Sequence, residues 1–306
     1  MKFALAFPFF TAPPLPEFTS GEAIRQIAVA AEAAGFDAVF STEHPAPPDD
    51  WRQTGGHDAL DPFVSLAFAA AATTRIRLLT NLTVVPYRNP LLLAKTVATL
   101  DRLSDGRLTL GVGTGYLEKE YEALGVEFAE RNDLFDEAME VLRLAWTGEP
   151  VTFQGSRFSA VEITCQPVPT QPLGPPFWVG GNSRLARRRA VRWGEGWMPM
   201  PNPRKLGDRR RSAHLETLDD LRGLLRYLRT EEERAGRKLP LEVLFAPLTG
   251  GVPGTRRWSP AEYGDSLLEL RMVGVTWVNV AITGRSLGSL TEAIARFGEE
   301  IISAHR

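Results

Sequence analysis

At 306 residues, with 43% apolar and 24% charged residues and a formal net charge of −2, the chain can bury a large core and carries no basic excess for nucleic acid. Its single cysteine, Cys165, rules out an intrachain disulfide and fits a reducing compartment, so a cytoplasmic protein is expected. No segment reaches the roughly 20 consecutive apolar residues of a membrane helix, and the best run, Phe63 to Ala72, is about half that.

The N-terminal apolar run meets Thr11-Ala-Pro-Pro-Leu-Pro16 without a cleavage region, so it reads as a first strand over 2–8 and not as a secretion signal. A second strand is expected over 36–42. Between them Ile24, Ile27, Ala28 and Ala31 mark one helical face, with Thr19-Ser20-Gly21-Glu22 as a capping box and Gly35 as the stop. Asp61-Pro62 and Asn89-Pro90 each pair an N-cap with proline at the first helical position, which predicts helices over 62–73 and 90–102 around a strand over 76–85. Further strands are expected near 107–112, 177–180, 196–199, 241–246 and 275–282. Helices near 131–147, 183–193, 212–235, 259–273 and 287–303 alternate with them.

Eight alternating pairs favour an α/β fold of one domain over 1–306, a closed (β/α)8 TIM-like barrel. Most strand-to-helix connections are long, namely 8–20, 43–60, 111–130 and 247–258, whereas the turns around Gly35, Thr74 and Ser104-Asp-Gly106 are short. One rim is therefore elaborated. The exception is an insertion before strand five, 148–176, in which Val151 to Phe158 reads as a small hairpin on the opposite rim.

Chemistry is expected where strands end at the elaborated rim. The second strand runs Asp37-Ala-Val-Phe-Ser-Thr-Glu43-His44, delivering a carboxylate and an imidazole together; His44 is the candidate proton carrier and Glu43 the candidate that orients its ring. Asn81, Leu82 and Thr83 end the third strand. Gly111-Val-Gly-Thr114-Gly115-Tyr116 ends the fourth and fails as a dinucleotide fingerprint, because Tyr116 takes the third glycine position. Its glycines instead open room for a planar ligand or phosphate. Gly180-Gly181-Asn182-Ser183 leads into a helix start and is expected to offer unpaired N–H groups to an anion. Arg184, Arg187, Arg188, Arg189 and Arg192 read as a solvated basic face, and Trp51, Trp193, Trp197 and Trp277 as core or lid residues. No metal site is expected, since the His57 and Asp49, Asp50, Asp58, Asp61 cluster lacks ligand spacing.

The combination of Ser41-Thr-Glu-His44, Val85-Pro-Tyr-Arg-Asn-Pro90, Ser104 to Gly115, Arg131-Asn-Asp-Leu-Phe-Asp-Glu137, and Pro176 to Ser183 continuing to Gly194-Glu-Gly-Trp-Met-Pro199 resembles the luciferase-like monooxygenase superfamily nearly end to end. Within it, the chain looks most like the branch of coenzyme F420-dependent oxidoreductases. The resemblance implies a bacterial-luciferase-like barrel, a homodimer, and a deazaflavin or flavin ring across the mouth, backed by a non-prolyl cis peptide at Asn81-Leu82. Asn81 to Thr83, Thr114 to Tyr116 and Gly180 to Ser183 then become ring and phosphate contacts, and Glu43-His44 the catalytic position. Thr114 stands where FMN relatives can carry an arginine, which points to coenzyme F420 over the alternative FMN. Tyr116 stands where the sugar-phosphate dehydrogenases of the superfamily have a glutamate, and Pro45-Ala-Pro-Pro48 where they have an aromatic, so sugar-phosphate oxidation is not expected. The reading is an oxidoreductase moving a hydride between F420 and a small organic substrate. An FMN-dependent monooxygenase and a cofactor-binding barrel without turnover are the alternatives.

Overall fold

The computed structural model describes residues 1–9, 15–206 and 211–306. Its first half runs β1 (Lys2–Ala6), α1 (Gly21–Ala34), β2 (Ala38–Ser41), α2 (Asp49–Gln53), α3 (Pro62–Ala72), β3 (Arg77–Thr80), β4 (Thr83–Val84), α4 (Pro90–Leu103) and β5 (Leu108–Gly113). The chain continues with α5 (Glu118–Ala123), α6 (Arg131–Ala145), the hairpin β6 (Val151–Gln154) and β7 (Ser159–Ile163), β8 (Phe177–Gly180), α7 (Arg184–Trp193) and β9 (Gly196–Met198). It closes with α8 (Leu218–Arg234), β10 (Glu242–Phe245), α9 (Pro260–Met272), β11 (Trp277–Val280) and α10 (Leu287–Phe297).

Parallel pairing runs β3-β2-β1-β11-β10-β9-β8-β5-β4, and β3 pairs with β5 to close the ring. β3 and β4 are two halves of one stave broken at Asn81 and Leu82, so the nine segments make an eight-stave (β/α) barrel, as the alternation of elements predicts. Period-2 strand geometry sorts the residues of β1: Ala4 and Ala6 join the barrel interior with Phe40, Leu79, Trp178, Met198, Leu244 and Trp277, while Phe3 and Leu5 face the helical layer.

The predicted prolyl helix starts are present. Asp61 accepts from the N–H groups of Phe63 and Val64, and Asn89 from that of Leu91. The capping box expected at Thr19 is not: Ser20 is the N-cap, accepting from Ala23 N–H, and Glu22 turns outward to Arg25 and Gln26. Two short helices, α2 and α5, stand inside stretches expected to be loop. The insertion is a hairpin, as expected, but its return strand extends to Ile163, and Glu137 of α6 pins the turn by accepting from the N–H groups of Ser156, Arg157 and Phe158.

At the amino end of the staves, carboxylates finish the backbone hydrogen bonding that the sheet leaves open. Glu32 accepts from the N–H groups of Arg75 and Ile76, Glu195 from that of Phe177, and the fully buried Asp101 from those of Thr170 and Gln171. Among the described residues no helix is long and apolar enough to cross a membrane.

Candidate functional site

The long loops at the carboxyl end of the staves enclose a cavity of about 580 Å³. Phe40, Leu82, Val179, Met198 and Leu244 supply apolar lining, and His44, Asn81, Thr114, Tyr116, Gly181 and Ser183 supply polar or backbone groups, so all four predicted strand ends converge on one space.

Leu82 explains the glycines on the neighbouring staves. The Asn81-Leu82 peptide is cis, as the resemblance implies. A Cβ on Gly113 would lie 2.8 Å from the Leu82 side chain, and one on Gly180 would lie 2.3 Å from it. These two glycines therefore make room for a leucine of the protein itself, and both also line the cavity. Thr83 is a correction: it pairs with Val112, is fully buried, and is absent from the cavity wall.

His44 reaches the cavity from the loop after β2, with 12% of its side chain exposed. The rings of Trp51, His57 and Tyr116 surround it at centroid distances of 4.5, 5.1 and 6.4 Å. Trp51 comes from α2, so an aromatic does sit against this histidine despite the proline-rich sequence that follows it.

Glu43 does not orient the ring. Its Oε2 accepts from Val84 N–H at 2.6 Å and its Oε1 pairs with the Arg88 guanidinium, which also meets Asp61. Burial pushes the Glu43 carboxyl above its usual range against the pull of Arg88. It thus braces the stave just beyond Leu82. The carboxylate beside His44 is Glu120 of α5, 3.4 Å from Nδ1 and 76 residues away in sequence. Glu120 also accepts from Ala46 N–H at 3.0 Å and from the Tyr87 hydroxyl at 2.8 Å. Burial acts to raise its pKa, but these partners outweigh it and hold the carboxyl below its usual range. Burial and the Glu120 charge push the Tyr87 phenol well up, which keeps it a donor. Because an ionised carboxylate only accepts, Nδ1 of His44 carries the proton and Nε2 is left for the cavity side.

Glu120 had a sequence signal. Leu117, Glu120, Tyr121 and Leu124 share the i, i+3, i+4, i+7 face of a helix, and a carboxylate on an apolar face needs partners.

The unpaired N–H groups at the start of α7 are not those of Gly181 and Asn182. Gly181 N–H already donates to Met198 O, and Asn182 N–H to Ser212 Oγ. Asn182 is fully buried, and its side chain ties the β8 exit to Met200 and Ala213. Ser183 caps α7 by accepting from Ala186 N–H. Among the described residues no acceptor meets the N–H groups of Ser183, Arg184 and Leu185, and Ser183 and Leu185 line the cavity. The arginines of α7 are not one solvated face. Arg187 stacks on Tyr227 and donates to Leu224 O, and Arg189 makes a two-pronged pair with Asp136. Among the described residues no three His, Cys, Asp or Glu side chains gather to hold a metal.

With this geometry in place, comparison with known proteins is decisive for the family. The model of the luciferase-like monooxygenases matches residues 1–241. The chain belongs to the luciferase-like monooxygenase family. It is an oxidoreductase of that family. An uncharacterised protein of Mycobacterium tuberculosis (strain ATCC 25618 / H37Rv) is 32% identical over 259 residues, 80% of this chain and 84% of the relative. The F420-dependent glucose-6-phosphate dehydrogenase of Beutenbergia cavernae is 40% identical over 176 residues, 56% of this chain and 50% of the relative. Among solved structures, the monooxygenase RslO1 of Streptomyces bottropensis superimposes with a TM-score of 0.80 at 21% identity, covering 100% of both chains. The coenzyme F420-dependent tetrahydromethanopterin reductase of Methanopyrus kandleri gives 0.72 at 19% identity, covering 100% of this chain and 99% of that one. Both likenesses are of fold.

Proposed function

We propose that this luciferase-like oxidoreductase uses coenzyme F420 and moves a hydride between it and a small organic substrate, with His44 as the residue that carries the proton. The observation behind this reading is the His44 imidazole in the cavity wall, backed by Glu120 and Tyr87 and facing a space large enough for a cofactor and a compact substrate. The residues present suit a deazaflavin or flavin. Leu82 and its apolar neighbours offer a flat ring a dry support, Asn81, Thr114, Gly115 and Tyr116 line the same space, and three amides at the start of α7 suit a phosphate.

When bound, the cofactor supplies a carbon that accepts or gives a hydride. The protein holds the substrate against that position and excludes water, while His44 Nε2 takes or returns the substrate proton. Glu120 keeps the ring in one tautomer. Glu43 acts at a distance, through Val84 and Arg88. F420 is favoured over FMN by Thr114, a neutral residue in the strand-four loop, and by relatives named as F420-dependent dehydrogenases.

Parallel fluorescence titration of the purified protein with F420 and FMN tests this reading. F420 should bind at least tenfold more tightly, a gap of ~1.4 kcal/mol. Equal affinities, or FMN co-purifying at full occupancy, would instead support the FMN-dependent monooxygenase. A homodimer belongs to the same proposal. The charge-free helix α3 leaves Val64 60% exposed, and Leu92 at the start of α4 is 69% exposed. Sedimentation equilibrium of a monomer at micromolar concentration would remove it.

A further inference from the structure

Three arginines stand in the cavity wall, Arg131, Arg189 and Arg211, and they are not equivalent. Arg189 is 6% exposed, and Asp136 and Asn132 take up its Nε and both terminal nitrogens. It is a tie between α7 and α6. Arg131 donates only to the Phe128 carbonyl, and among the described residues no carboxylate pairs with it. Arg211 meets Glu118, a pair in which both side chains are 49% exposed and water screens the attraction. A guanidinium has five N–H donors, so both arginines keep most of theirs.

Both also stand over the same ring. The guanidinium carbons of Arg131 and Arg211 lie 3.9 and 4.7 Å from the centroid of Phe128, which is 7% exposed and cannot swing away. Among the described residues, two cations against one screened carboxylate leave positive charge on this wall. The pair is fastened beside the α7 amides by its chain neighbours: Ser212, next to Arg211, accepts from Asn182 N–H, and Asn132, next to Arg131, accepts from Arg189.

We infer that Arg131 and Arg211 form an anion subsite separate from the amides at the start of α7, one that receives a carboxylate on the tail of the bound cofactor. The inference rests on the F420 reading above. The chemistry of the two candidate cofactors makes it specific. FMN ends in a single phosphate, which the α7 amides can absorb, whereas F420 carries its phosphate as a diester and continues into a carboxylate-bearing tail. Planar guanidiniums held over a ring match a carboxylate in geometry as well as charge.

The test uses the full chain and three deazaflavin probes: the ribityl alcohol without phosphate, its 5′-phosphate, and F420. Binding is followed by the intrinsic fluorescence of the probes. The wild type should tighten at both steps, from alcohol to phosphate and from phosphate to F420. Arg131→Gln and Arg211→Gln should keep the first step and lose about tenfold of the second, as expected for a charge-assisted contact. Arg131→Lys should retain part of it, and unchanged unfolding midpoints would show that the variants are folded. Variants that bind F420 as the wild type does would overturn the subsite. So would an equal loss for the 5′-phosphate and for F420, which would assign the arginines to the phosphate. Failure of the wild type to bind any of the three would overturn the cofactor reading, and the subsite with it.

Discussion

At the amino end of the barrel Glu32, Asp101 and Glu195 finish on backbone N–H groups, whereas at the carboxyl end Glu120 finishes on His44 and Tyr87 as well as on a backbone amide. The first arrangement ties peptide groups at the strand and loop starts to the helices and turns beside them, so its worth is stability. The second holds a titratable ring at the edge of a cavity, so its worth is position. Residue type alone does not separate them. Glu195 also meets Arg143 and Asp101 the Gln171 side-chain amide, so what separates the two ends is that His44 and Tyr87, held by Glu120, line the cavity.

Mutation at each end can break this contrast. The largest effect is expected from Asp101→Ala, which removes the buried carboxylate that accepts from the Thr170 and Gln171 amides: a loss of about 3 kcal/mol in urea unfolding, with F420 affinity unchanged in whatever fraction stays folded. A cofactor-affinity loss larger than the stability loss would tie the two ends together. His44→Ala should do the reverse, lowering turnover ~100-fold, about 2.7 kcal/mol of barrier, with little change in unfolding midpoint. Wild-type turnover across pH would make His44 a packing residue. Glu120→Gln should cost less, about tenfold in turnover, and should shift the His44 ring away from the Nδ1–H tautomer, as read from its nitrogen chemical shifts. An unmoved tautomer would detach Glu120 from the proton carrier.

The smallest effect is a difference of slope within the carboxyl end. The folded pKa of Glu120 is lowered, so its contribution is present above the ordinary carboxyl value of 4.5 and is lost as pH falls through the folded pKa. Glu43 is raised, so its contribution is present below 4.5 and is lost as pH rises through the folded pKa. Stability measured from pH 7 to pH 4 should therefore show the wild type losing ground to Glu120→Gln on acidification and gaining ground on Glu43→Gln. Parallel curves would mean that the two carboxylates share one environment.

Much of the barrel is legible in the sequence because its signals are local. Prolines after Asp61 and Asn89, the glycine stop at Gly35 and the alternation of strand and helix periods each act within a few residues, and the staves follow. The site was legible as a set of strand ends but not as a set of partners. Glu43 and His44 are neighbours in the chain, and neighbours leaving a strand point to opposite sides, so the obvious pair is the one geometry separates. Glu120 approaches from another stave, and no short-range pattern joins it to His44. The α7 amides show the same limit: which N–H groups are free depends on Met198 and Ser212, which only the closed barrel brings near.

Leu82 carries a consequence for how relatives of this protein vary. Its side chain occupies the space that Cβ atoms on Gly113 and Gly180 would need, so three positions on three staves share one volume. A leucine at 82 in this rotamer favours glycine at both of the others, and a Cβ at either would make its methyl groups shift. Where a relative shortens residue 82 to alanine, the constraint lifts from both glycines together, and the support beneath the ligand drops by the length of an isopropyl group. Substitutions at these three positions should therefore be correlated through the family, and Gly113→Ala in this chain should push the Leu82 side chain further into the cavity and raise its floor.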